Sequence, residues 1–139
     1  MPDTLDSPFM TRCFELAALA KAAGESAVGT VIVRDGVIIA EGVETIHAAS
    51  DPSGHAETLA IREACARLGT TDLSDCTLYT NVEPCFMCGY LVRQTGVRRV
   101  VMSRDCGEIG SVKSRYPFLV DGSFDRWGAP PEVVWFEWP

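Results

Sequence analysis

Residues 28–43 read V-G-T-V-I-V-R-D-G-V-I-I-A-E-G-V. Two β-branched runs, Val31-Ile32-Val33 and Val37-Ile38-Ile39, flank the dipeptide Asp35-Gly36. A two-residue Asp-Gly loop suits the tight turn whose twist matches paired strands, so the stretch predicts an antiparallel hairpin over 28–33 and 37–43. Upstream, Ser7-Pro8 pairs a capping residue with proline at a first helical position. Phe9, Met10, Cys13, Phe14, Leu16, Ala17 and Ala20 then recur at helical spacing up to Gly24. Downstream, 44–54 is a loop with Asp51-Pro52 and Gly54, and a helix is predicted over 55–68, ended by Gly69. A strand over 76–80, a helix over 85–94 and strands over 97–102 and 132–137 follow. The stretch 103–129 is irregular or partly helical. This order predicts an α/β fold in which a mixed sheet carries helices on both faces. The hairpin forms one end, and the later strands run parallel through helical crossovers.

The 139 residues suit one domain, and a hydrophobic content of 47% suits a soluble chain with a real core. No apolar run approaches the roughly 20 residues needed to span a bilayer. Residues 1–10 hold two aspartates and no basic side chain, unlike a secretory leader, so no membrane association and a cytoplasmic location are expected. Twelve Lys+Arg against 19 Asp+Glu give a net charge of −7. Binding to phosphates favours basic surface, so nucleic acid is not the expected partner; a small, weakly charged or cationic one is. The one basic cluster is Arg93, Arg98, Arg99 and Arg104. Six cysteines without an export signal point to thiols or metal ligands rather than disulfides. Cys13, Cys65, Cys76 and Cys106 sit in or beside apolar patterns and read as core thiols.

Two of the six form Cys85-Phe86-Met87-Cys88, preceded by Glu83-Pro84. Such spacing by itself fits zinc, an iron–sulfur cluster or a redox dithiol. At the start of a predicted helix both thiols share one face, and the helix N-terminus favours the thiolate that zinc requires. A second cluster, His55-Ala56-Glu57, supplies a third ligand of the right type. Zn²⁺ on three protein ligands keeps a position open for water, the arrangement of a catalytic site. Glu57 falls on the stripe formed by Ala60, Ile61, Ala64, Cys65 and Leu68, so it points toward the buried face. Carboxylates are seldom buried without a purpose, because the charge is costly there.

The pattern H-A-E followed by P-C-F-M-C resembles the signature of the zinc deaminases, H-x-E…P-C-x-x-C. The likeness to the cytidine-deaminase superfamily, in its cytosine/guanine/tRNA-adenosine deaminase branch, runs from about Ala27 to Ser111. It includes D-P-S-G-H-A-E, D-C-T-L-Y-T-N-V-E-P-C-F-M-C and S-R-D-C-G-E-I-G-S. The stretch from Asp51 to Cys88 looks most like bacterial guanine deaminases. The resemblance implies a single deaminase domain over 1–139, a three-layer α/β/α sandwich with a five-stranded mixed sheet. It implies Zn²⁺ on His55, Cys85 and Cys88, water as fourth ligand, and Glu57 as the proton shuttle. The implied reaction is hydrolytic deamination of a small aminated heterocycle, such as guanine, cytosine or a related ring. Ala56 and Glu83 match positions whose backbone hydrogen-bonds the base, and Phe86 is a candidate pocket wall. A homodimer through the zinc-bearing helices is implied as well.

The chain departs from its relatives in two places. Glu44 stands where relatives carry a base-binding asparagine. An ionised carboxylate only accepts, so a Glu44 in the pocket favours a ring presenting N–H donors. Relatives acting on transfer RNA carry a basic C-terminal helix, whereas here the chain ends in W-F-E-W-P. Tyr116, Phe118, Phe124, Trp127, Trp135 and Trp138 are candidates for core or dimer packing, or for a lid over a planar substrate. Deamination of adenosine or cytidine in RNA is the alternative function, and a non-catalytic zinc or redox module a remote one.

Overall fold

The computed structural model describes residues 4–123 and 125–138. Asp35 and Gly36 both have positive φ, 52° and 75°, which is what the predicted two-residue hairpin turn demands. They join β1 (Gly29–Arg34) to β2 (Val37–Val43). Ile32 pairs Ala40 while Val33 pairs Ile38, so Ile39 is the extra residue of a bulge. The other elements are α1 (Ser7–Ala22), α2 (Ala56–Leu68), β3 (Cys76–Thr80), α3 (Phe86–Thr95), β4 (Arg99–Met102), a 3₁₀ turn (Gly107–Ile109) and β5 (Glu132–Trp135). Gly69 and Gly96 close α2 and α3 in the left-handed conformation.

The sheet order is β2-β1-β3-β4-β5. β1 is antiparallel to both neighbours, and β3, β4 and β5 are mutually parallel. Alternation along each strand sends side chains to two cores. Ile32, Leu78, Val100 and Met102 pack with Ala60, Ile61 and Ala64 of α2 and Val92 of α3. Val31, Val33, Tyr79, Val101 and Val134 pack on the other face with Met10, Cys13 and Leu16 of α1. The expected three-layer α/β/α sandwich with a five-stranded mixed sheet is therefore what the chain forms. No helix among the described residues is long and apolar enough to cross a membrane.

Several boundaries differ from the sequence expectation; α2 and α3 each begin one residue later than expected. Ser7 is the first helical residue, and Asp6 holds the capping position without a side-chain cap. The Asp6 carboxylate turns inward, where it accepts from Tyr79 Oη at 2.8 Å and from both Arg99 terminal nitrogens at 2.8 Å. The strand expected over 28–33 is shifted by one residue, that over 97–102 begins at Arg99, and the last strand stops at Trp135.

One consequence of this topology places the site. The carboxyl ends of β2, β3 and β4 and the amino end of antiparallel β1 all lie along one edge of the sheet. The segments around Glu44, 81–85, 103–106 and 26–28 leave from that edge, where open α/β sheets bind ligands.

Candidate metal centre and catalytic cavity

Those segments enclose a cavity of about 270 Å³, lined by Glu44, His55, Glu57, Glu83, Cys85 and Arg104 among others. His55 is the N-cap of α2 and Cys85 the N-cap of α3, so two helix starts face each other across it. His55 Nδ1 lies 3.5 Å from Cys85 Sγ and 3.5 Å from Cys88 Sγ. The three donor atoms lie within 4.8 Å of one another. Zn–S and Zn–N bonds of normal length at tetrahedral angles separate such donors by about 3.5 Å, so the donor set fits zinc as it stands. Thr58 Oγ1 lies 3.3 Å from Cys88 Sγ, a hydroxyl placed to steady that ligand from the first turn of α2.

The electrostatics favour metal. The Cys85 thiol is drawn down to about 5, chiefly by its hydrogen bond with the Cys88 thiol and also by the backbone N–H groups of Cys88 and Met87. Cys88 moves the opposite way because it shares that bond and is buried. Of the two thiols Cys85 is the readier to lose its proton, and metal binding draws off the proton of Cys88. The Glu57 carboxyl is buried and pushed up to about 8 by desolvation, with the charges of Cys85 and Glu44 adding to the rise. It carries a proton easily at neutral pH, as an acid that must both take and return one should. We expect Cys88→Ala to lower stoichiometric zinc content to near zero by metal analysis, because a two-ligand site loses most of its affinity. Full zinc retention in that variant would exclude the assignment.

The other expected site residues divide. Glu44 lines the cavity and is buried; its Oε1 accepts from Ala56 N at 3.1 Å, and burial raises its carboxyl above the usual range. The Ala56 N–H is thus taken by Glu44. Glu83 also uses its N–H, donating to Arg104 O at 2.7 Å. Its carboxylate accepts from Cys106 N at 3.0 Å, Val112 N at 2.7 Å and Lys113 N at 2.8 Å, and so ties the cavity wall to the loop after β4. Gly110 sits so close to this carboxylate that a Cβ there would collide with it. Phe86 does not line the cavity. It packs on Tyr116 and Phe118 of the C-terminal segment, because its position one residue after Cys85 turns it away from the ligand face.

None of the described C-terminal aromatics lines the cavity, so no lid forms from them; Phe124 lies outside the described residues. Cys106 is not a core thiol but part of the cavity wall. The basic cluster is largely internal. Arg93 is buried, donating to the carbonyls of Phe118, Asp121 and Gly128, and Arg99 is paired with Asp6. Only Arg98 and Arg104 of the four are exposed. Ser26, Ala27, Val28, Val82 and Ile109 complete the wall, and nothing in their residue types marks them as such. They are found only through the strand ends that carry them.

A buried carboxyl held up near neutral pH beside a His-Cys-Cys donor set has the make-up of a metal-assisted hydrolase, with the cavity at the strand ends sized for one ring. Residues 3–104 match the family described as "Cytidine and deoxycytidylate deaminase zinc-binding region", and the chain belongs to it. It is a zinc-dependent hydrolase acting on C–N bonds. A tRNA-specific adenosine deaminase of Aquifex aeolicus (strain VF5) is 38% identical over 116 residues, 84% of this chain and 74% of that one. A guanine deaminase of Bacillus subtilis (strain 168) is 47% identical over 85 residues, but these are 59% of this chain and 54% of that one. A solved structure from work on A-to-I editing by tRNA deaminases at the wobble position of transfer RNA has a TM-score of 0.85 at 30% identity. It covers 94% of this chain, which covers 98% of it. The Bacillus subtilis guanine deaminase structure gives 0.69 at 41% identity, covering 71% and 64%. These relatives do not support the expectation against a nucleic-acid partner.

Proposed function

We propose that this chain deaminates adenosine presented in RNA, adding water and releasing ammonia to leave inosine. The observation behind this reading is the end-to-end likeness to a transfer-RNA adenosine deaminase structure, TM-score 0.85 over nearly the whole of both chains. The guanine deaminase likeness stops well short of that protein's length.

Zinc on His55, Cys85 and Cys88 supplies Lewis acidity, so that water becomes a nucleophile near neutral pH. Glu57 then takes a proton from the water as its oxygen attacks the ring carbon bearing the exocyclic amine. It gives that proton to the adjacent ring nitrogen, and the carbon becomes tetrahedral. The remaining hydroxyl proton passes through Glu57 to the amine, which departs as ammonia and leaves a carbonyl. The buried wall around Glu57 excludes bulk water from this exchange.

The test is incubation of the zinc-loaded protein with an anticodon stem-loop bearing adenosine at the wobble position, beside free adenosine, adenine, guanine and cytosine. Inosine in the RNA is the expected product. Ammonia from a free base alone would replace this reading with deamination of a small heterocycle. Two observations favour that second reading: Glu44 in the asparagine position and the net charge of −7. Exposed Met87 and Tyr90 on α3 favour a homodimer through that helix.

A further inference from the structure

We propose that the groove beside the catalytic cavity holds the RNA strand flanking the target nucleotide, with Arg104 and Lys113 on phosphates and Trp138 under a base. The inference rests on the RNA reading above.

The groove measures about 400 Å³ and is lined by Ser103, Lys113, Trp135, Phe136, Glu137 and Trp138. It adjoins the cavity twice through the chain. Ser103 in the groove precedes Arg104 in the cavity wall. Lys113 in the groove is fastened by its N–H to the carboxylate of Glu83, which lines the cavity. A strand leaving the cavity past Arg104 therefore meets the groove next.

Its chemistry is that of a single-strand track, cations beside stacking surfaces. Arg104 and Lys113 are exposed, and among the described residues neither makes an ion pair, in a chain with 19 acidic side chains. Glu44 and Glu83 put acidic groups in the cavity wall, whereas Arg104 and Lys113 are the cations next to it, so a phosphate is favoured at these two groups. Arg104 leaves a pinned backbone: its N–H donates to Asn81 O at 3.1 Å and its carbonyl accepts from Glu83 N at 2.7 Å. Lys113 Nζ lies 4.3 Å from the centre of the Trp135 ring. Trp138 is 42% exposed and backed by Phe14, their rings stacked at 4.1 Å, which makes a firm platform. Glu137, exposed on the rim, is the one opposing charge among the groove's residues.

The experiment measures binding of a fluorescent anticodon stem-loop to zinc-loaded Glu57→Gln protein across a salt series. Arg104→Gln and Lys113→Gln are each expected to weaken binding about tenfold and to reduce the slope of log affinity against log salt by about 0.7. Arg104→Lys and Lys113→Arg should keep that slope. Trp138→Leu should lose about tenfold in affinity at unchanged slope, since stacking releases no counterions. Wild-type affinity and slope in Arg104→Gln and Lys113→Gln overturn the groove assignment, and their exposed positions leave folding intact. If the protein edits RNA in that case, the groove alone falls. If it deaminates free bases and binds no RNA, the RNA reading falls with it.

Discussion

Replacing Glu57 by glutamine is expected to lower turnover by about 10²–10⁴-fold on any substrate the wild type accepts, while zinc content stays unchanged. Glutamine fills the same volume and keeps a carbonyl, but it cannot take a proton from water or return one to the ring. A second readout comes from metal-free protein. There burial holds the Glu57 carboxyl up near 8, above its unfolded value. The folded state then binds more protons than the unfolded one, so stability falls as pH rises from the unfolded value through about 8. Glu57→Gln removes that loss, and the stability difference in its favour should grow across this window in metal-free melts. Turnover within a few-fold of wild type would exclude Glu57 as the proton carrier. A pH-independent difference in the melts would exclude its buried ionisation.

Replacing Glu83 by alanine is expected to destabilise the fold by on the order of 3 kcal/mol or more, since three N–H groups lose a charged acceptor. The affected donors are those of Cys106, Val112 and Lys113, all on the loop that closes both the cavity and the groove. Glu83→Gln should not restore it fully, because its amide nitrogen would face an N–H. Gly110→Ala should act in the same direction by pressing on the carboxylate. Denaturant unfolding measures the loss, and amide exchange of residues 106–113 should quicken. An unfolding midpoint within error of wild type would show that this loop does not need the carboxylate.

Glu83 also shows where reading residues in order stops being informative. It stands next to Pro84 and Cys85, and nothing in its position there tells that its N–H donates to Arg104 O or that its side chain binds a loop more than twenty residues further on. The same holds for Arg93, whose charge suggested phosphate contact. The helix turns it inward, where three carbonyls of the C-terminal segment satisfy it. Long-range partners of polar side chains leave no periodic trace, because each is a single contact between distant segments.

Elements with a repeating signal were legible. The Asp35-Gly36 hairpin, the strand over 76–80 and the stripe through Ala60, Ile61 and Ala64 follow from local sterics and from the cost of exposing apolar faces. The inward direction of Glu57 followed from that stripe. Helix starts at His55 and Cys85 were legible to one residue, since glycine, proline and the ligand spacing bound them.

The sequence by itself determined the elements, the donor set and the inward acid beside it, because each rests on residue type and spacing over a few turns of chain. The tertiary structure alone decided which strand ends share an edge. That choice brings Glu44 onto Ala56, turns Phe86 out, adds Arg104 to the wall and sets a groove beside it. The physical reason is that β1 runs antiparallel to β3, and its amino end therefore lies beside the carboxyl ends of β3 and β4. No local pattern encodes that pairing.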